Sequence, residues 1–205
     1  MHLNYPNLIE KDKKGSFNFK VRFFKRTDTI SFLFGVSMDG ADAMKNLYNY
    51  FSNYKRDNNY PNYKEFFHTK YSLDISYPIL FLFDHEISNH KRPLYNFLKH
   101  IGLNDSEKQD ELERNLFTSI DGGNLFLATN PLIENKNECE IEDLFSDSTL
   151  NHTISGKSFS REKSYDTNKH FGKERFSKYI SSNYRTIDFS NFKPMLDAIS
   201  QIIER

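Results

Sequence analysis

Two carboxylates stand at the exit of the most apolar segment of the chain. The run Ile79–Phe83 is typical of a buried β-strand, and Asp84 and Glu86 follow it in the sequence PILFLFDHE. A buried strand has no structural use for carboxylates at its exit unless a positive group meets them there. Two carboxylates two residues apart in an extended segment point the same way, so both can reach one hard cation such as Mg²⁺ or Mn²⁺. We therefore predict that Asp84 and Glu86 bind a divalent metal ion.

A third acid, Asp39, lies in the loop SMDGADA after the apolar run of residues 29–36. If that run is a strand beside Ile79–Phe83, Asp39 and Asp84 face each other across a crevice at the sheet edge. A metal ion there would orient a phosphate, lower the pKa of a bound water and offset charge in an in-line displacement. We expect Lys173, just inside a predicted helix, to act as a further electrostatic partner.

A structural interpretation of the same residues stays open. An acid at a strand exit often caps a helix or forms a turn, and this applies to Asp84, Asp39 and Asp42. The carboxylates of residues 138–143 fit the solvated first turn of a short helix, where the helix dipole favours negative charge. Lys173 alone fits an ordinary surface lysine.

The elements that would position these residues follow from apolar periodicity. Strands are predicted at residues 17–24, 29–36, 79–83 and 124–129, and helices near residues 44–51, 94–101, 105–117, 138–145, 172–182 and 192–203. Buried strands that alternate with helices imply an α/β fold with a mainly parallel central sheet flanked by helices. In such sheets function gathers beyond the carboxyl ends of the strands.

Composition limits the remaining possibilities. The 205 residues suit a single domain over residues 1–205, with an N-terminal tail at 1–16 and a mobile segment at 146–170. Lysine and arginine total 28, as do aspartate and glutamate, so no global positive field attracts a polyanion. With Cys139 as the single cysteine, no long apolar run and no apolar start, we expect a soluble, unexported cytoplasmic protein without membrane contact. Codon bias from an AT-rich genome explains the 20 Phe and 12 Tyr better than base stacking does.

Four blocks of the sequence together resemble a known family. They are FLFGVSMDGADAMKNLY, PILFLFDHEISNHKRPLYNFLKHIG, NLFLATNPLIENKNECEIEDLF and HFGKERFSKYIS. The series resembles the C-terminal extension of certain retron reverse transcriptases, which looks like a Toprim nuclease domain. The similarity covers the chain from about residue 17 to its end, and its most specific parts are DHE, ECEIEDLF and FGKERFSKYIS.

The resemblance implies a Toprim-like parallel sheet and a set of site residues. Toprim domains bind Mg²⁺ through a glutamate after the first core strand and a DxD motif after a later one. Asp84 and Glu86 stand at the two acidic positions of DxD, and Asp39 stands where the family has the glutamate. In related nucleases a second acidic group and a late lysine complete the site. The matching candidates here are Glu140 or Glu142 and Lys173.

The resemblance also implies a function. It suggests a Mg²⁺-dependent nuclease that cuts RNA or DNA as the effector of a retron antiphage system. A reverse transcriptase with its RNA-linked DNA would hold it in check. The polymerase signature Tyr-x-Asp-Asp is missing, so we expect no DNA synthesis by this chain. A fragment, a split gene product and a stand-alone effector all stay open, as does a homo-oligomer.

Two other hypotheses remain from the sequence. The first is a catalytically degenerate Toprim-like module that binds nucleic acid or the reverse transcriptase without cutting. The second is an unrelated soluble α/β protein in which the acids serve only as caps. Neither a Walker motif nor a dinucleotide-binding fingerprint follows any predicted strand, so an ATPase or a Rossmann oxidoreductase is not expected.

Overall fold

The computed structural model describes residues 4–25, 27–34, 41–52, 63–74, 77–104, 106–121, 123–134 and 136–205. These residues form a mixed α/β structure with several small sheets. Its strands are β1 Ile9–Lys11, β2 Phe17–Phe19, β3 Ile79–Phe83, β4 Phe117–Ser119, β5 Leu125–Thr129, β6 Ser158–Phe159 and β7 His170–Phe171. Its helices are α1 Asp28–Phe34, α2 Ala41–Ser52, α3 Tyr63–Tyr71, α4 Pro93–Ile101, α5 Ser106–Asn115, α6 Asp147–Leu150, α7 Lys173–Ser182 and α8 Lys193–Ile203, with 3₁₀ turns at Ile141–Leu144 and Ser190–Phe192.

The central sheet has the strand order β3-β5-β4. Strand β3 runs parallel to β5, with Phe83 opposite Thr129, and β4 pairs with β5 in the antiparallel direction. Both predicted apolar strands, β3 and β5, are therefore confirmed. Their parallel register makes them end side by side, which brings the residues after Phe83 and Thr129 to one edge of the sheet. The sheet is mixed instead of mainly parallel, because β4 pairs with β5 in the antiparallel direction. Strand β4 was not predicted.

Helix α4 closes one face of this sheet. Pro93 occupies its first turn, where no backbone N–H is needed, and Gly102 ends it in the left-handed conformation at φ 73°. The apolar residues that recur on one face of α4 are all buried, and they are Leu94, Phe97, Leu98 and Ile101. They pack with β3, β5 and helix α2 in the largest core cluster.

Helix α8 covers the opposite face. Its Ala198 and Ile202 pack against Phe117, Phe126 and Ala128 of β4 and β5. The helices predicted near residues 172–182 and 192–203 are both confirmed as α7 and α8. The sheet is thus enclosed by helices on two sides, and its exposed rim lies at the strand ends. No helix within the described ranges combines the length and the apolar character that crossing a bilayer requires.

The strand predicted at residues 29–36 is wrong for its described part. Residues Asp28–Phe34 form helix α1. Thr27 starts the helix: its Oγ1 accepts a hydrogen bond from the Ile30 backbone N–H at 3.2 Å. This cap outweighs the β-propensity of Thr, Ile and Phe, which is a weak and context-dependent preference. Phe32 is 83% exposed, so the run is not the buried core strand that its composition indicated.

Two segments predicted to lack regular structure contain short elements. The predicted tail, residues 1–16, contributes β1, which pairs with β2 as an antiparallel hairpin. The segment 146–170 contains α6 and β6, and β6 pairs in parallel with β7. The mobility of residues 146–170 stays a prediction.

The core predicts a large penalty for removing Phe97. Its side chain is fully buried, and its ring contacts Tyr48, Phe81 and Phe83 at centroid distances of 5.8, 5.5 and 4.9 Å. We expect Phe97→Ala to lower the free energy of unfolding by roughly 3–5 kcal/mol, because it removes buried area and leaves a cavity. Urea unfolding measures this change.

The matched control for that measurement is Phe23→Ala. Phe23 is 86% exposed, so its removal should change stability by less than about 0.5 kcal/mol. Equal losses in the two variants would contradict the described core.

Candidate functional site

Asp84 is the residue that joins the separate parts of the site. It follows β3 directly, and its Oδ1 accepts hydrogen bonds from Asn130 Nδ2 at 2.9 Å and from the Ile141 backbone N–H at 3.0 Å. Asn130 follows β5 directly and is 1% exposed. The bond to Ile141, the first residue of a 3₁₀ turn, is the capping role that sequence analysis left open for Asp84. Its Oδ2 accepts no hydrogen bond from any described residue.

A short backbone bridge brings the acidic segment 138–142 to the exit of β3. His85 and Cys139 exchange two backbone hydrogen bonds, each 2.9 Å long. Cys139 is fully buried, and the His85 ring lies 3.2 Å from the Asn130 carbonyl oxygen through Nδ1. Burial lowers the pKa of His85, so the ring is held neutral more firmly than a free histidine. The bridge fixes which carboxylates of the segment face Asp84.

The helix predicted at residues 138–145 is shorter than expected. Only Ile141–Leu144 is helical, as a 3₁₀ turn. Asp143 Oδ2 accepts the Glu140 backbone N–H at 2.8 Å, which closes the start of the turn. The other oxygen of Asp143 contacts Lys136 and Arg161. Burial alone would raise the pKa of Asp143, but these hydrogen bonds hold it below the usual value. Asp143 therefore supports the turn.

Lys173 joins two of the predicted metal ligands. Its Nζ lies 3.1 Å from carboxylate oxygens of both Glu140 and Glu142. Burial works against the charged form, but the hydrogen bonds and charges of Glu142 and Glu140 raise the pKa of Lys173 above its ordinary value. The lysine is the first residue of α7, as predicted, and its side chain remains half exposed.

Gly172 immediately precedes this lysine and lies close to the side chain of Tyr165. A Cβ at residue 172 would lie 2.7 Å from the Tyr165 hydroxyl oxygen, so a larger residue would displace Tyr165. Tyr165 lines an open cleft of about 440 Å³ that is formed by residues 159–170. Arg161 from the same segment contacts Asp143, so the cleft segment is tied to the acidic segment.

Glu86, two residues after Asp84, is 4% exposed. Arg92 Nε is 3.3 Å from Glu86 and 3.1 Å from Glu138, and Asn89 donates a hydrogen bond to Glu138 at 2.8 Å. Burial raises the pKa of Glu86, with Asp84 and Glu138 adding to the rise and Arg92 opposing it. Glu86 is thus a buried carboxylate held by one guanidinium.

The structure joins part of the predicted site by direct contacts. Asp84 accepts the Ile141 backbone N–H of the acidic segment, and Lys173 pairs with Glu140 and Glu142 of that segment. Asp39 lies outside the described residues.

Sequence reasoning missed two polar residues of the site. Arg92 holds Glu86, and Asn130 holds Asp84. The sequence signal for Asn130 is its place directly after the buried strand β5.

The predicted metal ligands are all carboxylates. Carboxylate oxygens are the ligands that Mg²⁺ prefers, so the chemistry fits. Within the described ranges, however, no three His, Cys, Asp or Glu residues are grouped closely enough to hold a metal ion. The reason is visible in the contacts, since Lys173 engages Glu140 and Glu142 while Arg92 engages Glu86. Metal binding here requires these cations to move aside, and Lys173 is the more exposed of the two, at 50% against 43% for the Arg92 side chain.

Comparison with known proteins adds no assignment. No protein-family model matches the sequence, and no solved structure matches the chain significantly. The case for function therefore depends on the contacts around Asp84 and on the resemblance noted from the sequence motifs.

Proposed function

We propose that this protein is a divalent-metal-dependent nuclease. The observation that carries the proposal is that Asp84, at the carboxyl end of the parallel pair β3 and β5, accepts a hydrogen bond from the backbone of the acidic turn at Ile141. Asp84 and Glu86 belong to the first segment, and Glu140 and Glu142, which share Lys173, belong to the second. The carboxyl edge of parallel strands is where α/β proteins bind substrates.

The charge balance of this rim supports a bound cation. Five carboxylates, Glu138 included, face two cations, Lys173 and Arg92, which leaves a surplus of negative charge. Burial raises the pKa of Asp84, and the charges of Glu140 and Glu142 add to that rise. Such a surplus in a half-buried site destabilises the ionised carboxylates, and a divalent cation would relieve it.

The residues can be given distinct tasks. Asp84, Glu86, Glu140 and Glu142 would hold the ion, and Asp39 is a further candidate from the sequence. When bound, the ion would polarise a phosphate oxygen and lower the pKa of a water molecule. Asn130 and the Ile141 N–H orient the Asp84 carboxylate, and Arg92 orients Glu86. Lys173, once displaced from the glutamates, carries the positive charge that a phosphate oxygen needs.

The biological setting comes from the resemblance alone. We propose a Toprim-like domain that acts on RNA or DNA in the cytoplasm as the effector part of a retron antiphage system. Its partner would be a reverse transcriptase with RNA-linked DNA.

A degenerate binding module is the second candidate, and one observation favours it. Lys173 already forms ion pairs with both Glu140 and Glu142, so these two carboxylates have a cation beside them without a metal ion. Buried carboxylates can be compensated by a paired cation as well as by a metal. Such a module would bind nucleic acid or the reverse transcriptase and cut neither strand.

Replacement of Asp84 separates the two candidates. We expect Asp84→Asn to reduce Mg²⁺- or Mn²⁺-dependent cleavage of mixed RNA and DNA substrates at least roughly 100-fold, because it removes a ligand charge at the centre of the site. Gel assays of cleavage products measure the rate.

The control for cleavage is Asp110→Asn, which changes an exposed acid on α5 and should leave the rate unchanged. Cleavage that persists in Asp84→Asn would contradict the catalytic proposal. No cleavage by the wild type at any Mg²⁺ or Mn²⁺ concentration, with nucleic-acid binding retained, supports the degenerate module.

Metal binding should also stabilise the fold. At a hundredfold excess of Mg²⁺ or Mn²⁺ over its dissociation constant, we expect a gain of about 2.7 kcal/mol, because the ion binds only the folded site. Thermal unfolding at neutral pH measures the gain in the wild type and in Asp110→Asn. A shift of the same size in Asp84→Asn would place the ion elsewhere.

The raised pKa of Asp84 predicts a pH dependence in the absence of metal. Because the folded protein holds this proton more tightly than the unfolded chain, the wild type loses stability as pH rises from about 4 through the raised pKa. Asp84→Asn lacks this loss. We expect the stability of the variant relative to the wild type to increase from pH 4 to pH 7 in urea unfolding with EDTA. A constant or decreasing difference would contradict the raised pKa.

A further inference from the structure

The N-terminal hairpin exposes an unusual set of aromatic side chains. We define the N-terminal aromatic surface as the phenylalanines of residues 17–25 together with the charged residues of 10–25. Four phenylalanine side chains are at least half exposed, and they are Phe17 at 50%, Phe19 at 55%, Phe23 at 86% and Phe24 at 50%. Large apolar side chains that gather on a surface mark a binding site more often than scattered ones do.

The same stretch concentrates positive charge. The chain as a whole has a net charge of zero. Residues 10–25 contain two carboxylates, Glu10 and Asp12, and six cations, which are Lys11, Lys13, Lys14, Lys20, Arg22 and Lys25. Glu10 pairs with Lys20 at 3.5 Å, and Asp12 accepts backbone N–H groups of the hairpin turn. The stretch that carries the exposed rings therefore has a surplus of four positive charges.

Cations and rings share one side of the hairpin. Phe17 and Phe19 are two residues apart in β2, so both rings lie on the same face. Across the strand pair, Lys11 is opposite Phe17, and its Nζ lies 5.8 Å from the ring centre. Arg22 donates a hydrogen bond to the Phe19 backbone carbonyl at 2.8 Å, so a second cation lies near the backbone of the strand that carries both rings. Rings that alternate with cations suit a ligand with flat faces and a negative backbone.

The hairpin is attached firmly to the rest of the protein. Tyr5 donates a hydrogen bond to Asp197 of α8 at 2.6 Å, and Asn7 donates to the Ser200 hydroxyl at 2.7 Å. Leu8 and Ile9 are buried at 4% and 6% exposure. These contacts anchor the start of the hairpin, next to β1, on helix α8.

We propose that the N-terminal aromatic surface binds single-stranded nucleic acid. Unpaired bases can stack on exposed rings, whereas the bases of a duplex are already stacked on each other. The surplus of cations matches the phosphate backbone. The inference names the substrate class of the nuclease site and in that respect rests on the proposed function. Binding itself needs no metal and can be measured where no cleavage occurs.

Fluorescence anisotropy tests the proposal with labelled 20-nucleotide single strands of RNA and DNA and a duplex of the same sequence, all in EDTA. We expect the single strands to bind at least about tenfold more tightly than the duplex. The double variant Phe19→Ala with Phe23→Ala should weaken binding roughly tenfold or more. Lys20→Gln with Arg22→Gln should reduce the salt slope of log Kd by about 0.7 for each lost phosphate contact.

Matched controls use exposed residues elsewhere. Tyr77→Ala with Tyr184→Ala removes two rings that are 84% and 58% exposed, and Lys99→Gln with Lys178→Gln removes two surface cations. All four double variants should keep the wild-type melting temperature. Equal loss of binding in test and control pairs would overturn the proposal, as would a duplex that binds as tightly as the single strands.

Other occupants of the surface give distinct results. Binding to anionic lipid vesicles without oligonucleotide binding, or a dimer that Phe19→Ala with Phe23→Ala dissociates, would overturn the proposal. If the protein never cleaves but the wild type and Asp84→Asn both bind single strands, the surface is supported and only the catalytic site is refuted. If the variant Phe19→Ala with Phe23→Ala binds and cleaves a single strand as the wild type does, only the surface is refuted.

Discussion

The hydrogen bond from the Ile141 N–H to Asp84 Oδ1 is the contact on which the candidate site depends. It joins the exit of β3 to a segment more than fifty residues later in the chain. Asn130 shares the same oxygen, so the ends of two parallel strands and the acidic turn meet at one atom. Hydrogen bonds to an ionised carboxylate are stronger than neutral ones, which makes this junction firm. Together with the backbone bridge between His85 and Cys139, it positions Glu140 and Glu142 relative to the sheet.

Charge imposes the second constraint. Carboxylates that are partly buried need cations nearby, and the protein supplies Lys173, Arg92, Lys136 and Arg161. The two cations at Asp143 stabilise the 3₁₀ turn, and its pKa falls accordingly. Around Asp84 and Glu86, burial first and then the neighbouring carboxylates raise the pKa values, with fewer cations than acids to oppose the rise. The two groups of carboxylates therefore differ in how far nearby cations compensate their burial.

The sequence predicted the parts of the fold that local pattern controls. Strands β3 and β5 are dense apolar runs, and α4 has apolar residues at helical spacing between Pro93 and Gly102, so periodicity and end signals agreed. Helix α1 was mistaken for a strand because β-branched and aromatic residues favour strands only when they pack, while Thr27 supplies a helix cap. Strand β4 is three residues long, too short for alternation to show.

For the site, strand exits predicted Asp84 and Glu86, and a predicted helix start suggested Lys173. Family resemblance added Glu140 or Glu142 and matched Lys173. The pairing of Lys173 with both glutamates and the role of Arg92 depend on tertiary distances that no local pattern encodes. Asn130 shows why the sequence was not enough. It lies beside the exit of β3 because β3 and β5 pair in parallel with Phe83 opposite Thr129, so the strand pairing had to be known first.

An anomalous difference map from a Mn²⁺-soaked crystal tests the central claim most directly. The account predicts a peak within about 2.0–2.6 Å of an Asp84 oxygen and of a carboxylate from Glu86, Glu140 or Glu142, with the Lys173 ammonium displaced. A map with no peak at the β3 exit, with Lys173 still between Glu140 and Glu142, would contradict it.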